Sequence, residues 1–142
     1  MEVLFPGSSR ASRRFETAFV ELGERTPTAV GGARVTAYRV EQPGTPACAL
    51  RVRCGGKVVA YSGDTTWTDE LIELARGADL FIAEAYFFAR QGPYHLDHET
   101  LRAQRRALDC GRILITHMGP DMLARQEEAK FESAYDGLVV TL

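Results

Sequence analysis

The sequence predicts an α/β fold, a layered domain in which helices pack on a mixed β-sheet. Three observations carry that expectation. The first fifty-odd residues alternate β-rich segments with Pro-Gly-Ser-Ser, Thr-Pro and Gly-Gly punctuation. From Lys57 onward the order becomes strand, helix, strand, helix, strand. A chain of 142 residues that is 45% apolar and 25% charged is sufficient for one globular domain and too apolar for disorder.

Strands are expected at Glu2–Phe5, Phe15–Leu22 and Arg34–Val40. In Cys48–Cys54 the apolar Cys48, Leu50, Val52 and Cys54 alternate with Ala49, Arg51 and Arg53, which predicts a strand with the first set buried and the second wet. Gly55-Gly56 turns the chain into Lys57–Ser62. A helix follows, with Thr68 as N-cap, Asp69 and Glu70 in its first turn, Leu71, Ile72 and Ala75 on its apolar face, and Gly77 at its end. Ala78–Ala83 reads as a short buried strand. A second helix is expected from about Asp97 to Cys110 with Gly111 as its stop, then the strand Arg112–Thr116, a third helix from Pro120 to about Lys130, and a final strand Leu138–Leu142.

Charge is uneven along the chain. Residues 1–56 hold eight arginines and five glutamates, while residues 57–142 hold nine basic and fourteen acidic residues. The cluster Arg10, Arg13, Arg14 can meet a phosphate, though such runs are more often solvated, so a nucleic-acid partner has weak support. Apolar stretches are too short to cross a bilayer, and Met1 to Pro6 carries an acid where a signal peptide would carry a base. No membrane partner and a cytoplasmic location are expected. Cys48, Cys54 and Cys110 lack close CxxC spacing and are expected to be buried small hydrophobes.

Three apolar strands end alike. Val58–Tyr61 runs into Ser62-Gly63-Asp64, Leu80–Ala83 into Glu84, and Ile113–Ile115 into Thr116-His117. In layered α/β architectures ligands lie beyond the carboxyl ends of strands, so two carboxylates and an imidazole placed there converge on one pocket. Asp64 and His117 suit metal ligation, Asp as a bridge between two ions and His as a nitrogen donor. The loop Gln91–His98 adds His95 and His98 as candidate proton donors to a leaving group, with Glu84 placed to orient an imidazole. Alternatively, His98 simply sits in the first helical turn with its ring in solvent.

Tyr61-Ser62-Gly63-Asp64-Thr65, the strand Ala78–Glu84, the His95 segment, Thr116-His117-Met118 and Tyr135-Asp136-Gly137 resemble, in order and spacing, the second half of a metallo-β-lactamase-fold hydrolase of the ribonuclease Z-like branch. Val3-Leu4-Phe5-Pro6-Gly7-Ser8-Ser9 resembles the middle segment of such proteins. The resemblance implies that residues 1–142 form the C-terminal part of such a domain: half of an αββα sandwich, a mixed sheet with helices on one face. Asp64 then corresponds to the metal-bridging aspartate and His117 to the last metal-binding histidine. Glu84 and His95 correspond to a proton relay, with His98 as the alternative relay histidine. The implied cofactor is zinc in a two-metal site, or manganese, and the implied activity is metal-dependent hydrolysis of a phosphodiester or small ester.

Two departures from the family pattern stand out. The defining HxHxDH cluster occurs nowhere in the sequence and is expected in an N-terminal half upstream of Met1. Gln42 takes the place of a further metal-binding histidine, and its amide oxygen is the poorer zinc ligand. The alternative function is therefore a catalytically inactive half-domain that acts as an interaction module or homodimer through an exposed sheet face.

Overall fold

The structure, a computed structural model, describes residues 15, 19–89 and 92–142. Seven strands form one mixed sheet in sequence order: β1 (Thr28–Val30), β2 (Ala33–Gln42), β3 (Thr45–Cys54), β4 (Lys57–Tyr61), β5 (Ala78–Glu84), β6 (Cys110–Thr116) and β7 (Glu132–Ser133). The first four pair antiparallel through tight turns, and β4 to β7 run parallel. The crossovers carry α1 (Glu70–Ala75), α2 (His98–Gln104) and α3 (Pro120–Ala124), followed by a single 3-10 turn at Gln126–Glu128. The three helices lie on one face, which makes the chain half of an αββα sandwich. Among the described residues no helix is long and apolar enough to cross a membrane.

The core lies between sheet and helices. Val40, Ala49, Val58, Ala60, Phe81, Ala83, Ile113 and Ile115 meet Leu71, Leu74, Leu101 and Met122 from the helices. The opposite face carries two apolar rungs across the strands. One runs through Val35, Val52, Val59 and Leu80, the other through Ala37, Leu50, Tyr61, Ile82 and Leu114.

That second face corrects the expected phase of β3. Ala49 is fully buried under the helices, whereas Cys48 is exposed and Leu50 and Val52 are half-buried on the helix-free side. The alternation was real, but in a sandwich the more apolar side of a strand faces the second sheet, and small residues suffice beneath a close helix. Arg51 lies on the helix side because its Nη1 donates to the Leu74 carbonyl at the end of α1 (2.5 Å). The cysteines are corrected with the strand: Cys48 and Cys54 are exposed and Cys110 is half-buried.

Several boundaries also move. Asp69 rather than Thr68 occupies the α1 N-cap, without a side-chain cap bond, and Leu74 replaces half-buried Ile72 on the buried face. Asp97 caps α2 by accepting from the Thr100 N–H (2.8 Å). That helix stops at Gln104, where Arg105 folds back on the carbonyls of Leu108 and Cys110, so Gly111 lies inside β6 rather than ending a helix. The third helix ends at Ala124. Residues 138–142 form no strand; the sheet closes instead on the two-residue β7, too short for periodicity to reveal. Residues 19–22 form no strand, while Glu2–Phe5 and the arginines at 10, 13 and 14 lie outside the described residues.

Candidate metal centre

Asp64, Glu84 and His117 follow or end three adjacent parallel strands, so the sheet itself brings them together. Asp64 reaches its place through Gly63, which has φ +62° and leaves no room for a side chain, since a Cβ there would stand 2.8 Å from the Cys48 carbonyl oxygen. His117 itself adopts φ +53°, a left-handed conformation that costs a non-glycine residue about 1–3 kcal/mol and is concentrated at functional sites. Gly119 lets the same loop close on Tyr86, whose ring and carbonyl would lie 2.8–2.9 Å from an added Cβ.

Glu84 is the pivot. Its side chain is 1% exposed, and its Oε1 accepts the backbone N–H groups of Thr65 and of Leu96 (3.3 Å for the latter). Its Oε2 lies 2.9 Å from His95 Nδ1 and 3.1 Å from His117 Nδ1. With Nδ1–H donating to the carboxylate, each imidazole keeps Nε2 free for a ligand or a proton. His117 Nδ1 also lies 3.1 Å from Asp64 Oδ1. Burial of a carboxylate is costly unless it is hydrogen-bonded, and these four contacts together meet that need.

The three remaining side chains form one cluster among the described residues. Asp64, His95 and His117 each offer a ligand atom within 4.8 Å of the others. Their side chains are 40%, 21% and 39% exposed, so the cluster opens to solvent while Glu84 stays beneath it. A carboxylate and two imidazoles suit zinc or a similar divalent ion, and the carboxylate behind the rings is the usual support for such ligands. The sequence pointed to two ligands here; the structure adds His95 as a third candidate.

Tyr86, which the sequence did not single out, stacks its ring on His95 at 4.6 Å between centroids and meets His117 edge-on at 5.3 Å. Ser62, also unpredicted, is buried and accepts the Glu84 N–H (2.9 Å). Burial, and then the charges of Asp64 and Glu84, push the Tyr61 hydroxyl above the usual tyrosine range, keeping it protonated beside the cluster. Gln42 ends β2 at the same end of the sheet, half-buried and opposite Thr45.

His98 is placed elsewhere. It is fully buried, stacks on Phe88, and its Nε2 accepts the Lys130 N–H (3.0 Å), so its ring is not in solvent. Of the two loop histidines, it is His95 that lies beside Glu84.

A candidate metal cluster thus lies beyond the carboxyl ends of parallel strands, on half of an αββα sandwich. The chain belongs to the metallo-β-lactamase-fold superfamily, matching the family described as "Beta-lactamase superfamily domain" over residues 2–118. It is 32% identical over 117 residues to an uncharacterised protein of Mycobacterium leprae, covering 80% of this chain and 41% of that one. It is 32% identical over 95 residues to "Probable metallo-hydrolase YhfI" of Bacillus subtilis, covering 65% and 38%, and 28% identical over 103 residues to "Ribonuclease Z" of Bacillus velezensis, covering 61% and 33%. The crystal structure of YhfI superposes with a TM-score of 0.74 at 22% identity over 99% of this chain and 62% of that one, a likeness of fold. The chain spans about a quarter to two fifths of the length of the curated relatives it matches.

Proposed function

We propose that this chain contributes the Asp64–His117 side of a metal-dependent phosphodiesterase of the ribonuclease Z-like type. The observation that carries this reading is Glu84, whose Oε2 holds both His95 and His117 while Asp64 stands at the same carboxylate-imidazole cluster. In this reading Asp64 and His117 hold zinc or manganese, in a two-metal site completed by ligands beyond those described. Such ions lower the pKa of water and stabilise the charge that builds on an attacked phosphodiester. His95, fixed through Nδ1 by Glu84 and stacked on Tyr86, has Nε2 free to deliver a proton to the leaving oxygen. Similarity to "Ribonuclease Z" of Bacillus velezensis supports the phosphodiester class.

Because the chain spans only part of its relatives, the test joins it to the portion of YhfI that it does not span. The chimera, loaded with zinc or manganese, is expected to hydrolyse bis(p-nitrophenyl) phosphate in a chelator-sensitive way. Metal uptake without turnover of any phosphodiester would remove the phosphodiesterase reading.

A second reading has its own observation. The uncovered members of the two apolar rungs on the helix-free face, Val35, Leu50, Val52, Val59, Tyr61 and Ile82, suit a second copy of this half-domain, which would bury them as the second layer of a sandwich. Sedimentation equilibrium of the 142-residue chain should then show a dimer. A stable folded monomer at high concentration would count against it.

A further inference from the structure

At the opposite end of the sheet, four arginines crowd one small depression on the helix-bearing side. Arg34 and Arg53 face each other directly across β2 and β3, and the next rung on the same face pairs Thr36 with Arg51. Arg25 arrives from the segment before β1, with its guanidinium 5.4 Å from the centre of the Tyr38 ring. These residues line one cavity of about 270 Å³.

Like charges directly opposite in a sheet are destabilising, and beside the Arg34–Arg53 pair two further arginines are anchored in place. Arg51 is held by the Leu74 carbonyl, and Arg25 by Glu70 and the Tyr38 ring. Among the described residues Glu70 is the only carboxylate paired to the group, and neither Arg34 nor Arg53 has an acidic partner within 4 Å. Two guanidinium forks are therefore left with all their donors at the mouth of a cationic depression, which matches oxyanion oxygens, and the four positive charges favour a multiply charged polyphosphate over a single carboxylate. Eight residue steps along β2 separate Arg34 from Gln42, about 26 Å at about 3.3 Å per step, so the depression is distinct from the cluster at the strand ends.

We propose that this depression binds a short polyphosphate group, with Arg34 and Arg53 gripping neighbouring phosphates while Arg51 and Arg25 supply fixed positive charge. The volume suits a chain of two or three phosphates. The group can be free or carried on a nucleotide, and both present the same oxygens.

The test is calorimetric titration of inorganic tripolyphosphate into the intact 142-residue chain at low ionic strength, in metal-free buffer. Binding at one site is expected, at least about tenfold weaker in the R34Q/R53Q variant and unchanged in R76Q, whose arginine pairs with Glu73 outside the depression. The double variant should also melt at a higher temperature without ligand, because its cross-strand repulsion is gone. That second readout separates loss of the site from loss of the fold. Asp64→Ala should bind tripolyphosphate as the parent does. Tighter binding of adenosine triphosphate than of tripolyphosphate would assign the nucleotide as source, and equal binding the free chain. No binding, equal weakening in R76Q, or loss of binding in Asp64→Ala would each overturn the proposal.

Discussion

At the scale of single residues, Glu84 does more than a carboxylate at a strand end ordinarily does. It accepts two backbone N–H groups with one oxygen and holds two imidazoles with the other. Glu84→Gln preserves size but loses the negative charge and turns an acceptor into a donor on one side. It is expected to weaken zinc affinity by about 10–100-fold, measured by competition with a chromogenic chelator, while the far-ultraviolet spectrum stays unchanged. His95→Ala separates two roles for that ring: retained metal with lost turnover in the chimera marks a proton donor, and lost metal marks a ligand. Gly63→Ala should destabilise the fold by about 1–3 kcal/mol in urea denaturation, because the new methyl meets the Cys48 carbonyl in a left-handed backbone. That Asp64, Glu84 and His117 would meet was legible in the sequence, since each stands at the end of an apolar run, while His95 was marked only by its loop and by the resemblance. Tyr86 and Ser62 were not, because a stacking ring and a backbone-capping hydroxyl leave no spacing signal.

At the scale of elements, His98 ties α2 to the segment leading into β7. Its Nε2 accepts the Lys130 N–H, so it must be neutral there, and its ring sits between Phe88 and Phe131. Burial, the largest cause, lowers its pKa below the usual histidine value against smaller opposing pulls from Glu99 and Asp97. The unfolded chain, with a histidine pKa near 6.5, therefore takes up the proton first as pH falls. This contribution to stability is full above about pH 6.5 and is lost as the pH drops below it. Urea midpoints measured between pH 7.5 and 5.5 should fall more steeply for the parent than for His98→Gln. The helices themselves were legible from caps and apolar spacing, but their ends were not. Arg105 turning back on Leu108 and Cys110 is a tertiary event, and it shortens α2 by several residues relative to its sequence pattern.

At the scale of the whole molecule, one sheet has two apolar sides but helices on only one. The α/β class and the strands β2 to β6 could be read from punctuation and period, whereas the side of β3 that faces the helices could not. Alternation tells a strand which residues share a face, and only the second layer decides which face is wetter. If the helix-free face pairs two copies, Val52→Asp should abolish the dimer in sedimentation without unfolding the chain, since Val52 is half-buried at the centre of one apolar rung.

The metal cluster itself is tested most directly by counting ions. Zinc bound per chain, measured by elemental analysis after equilibrium dialysis of the parent, Asp64→Ala and His117→Ala proteins, should be substantial in the parent and near zero in both folded variants. Equal zinc in all three, or none in the parent, would contradict a metal centre built on Asp64 and His117.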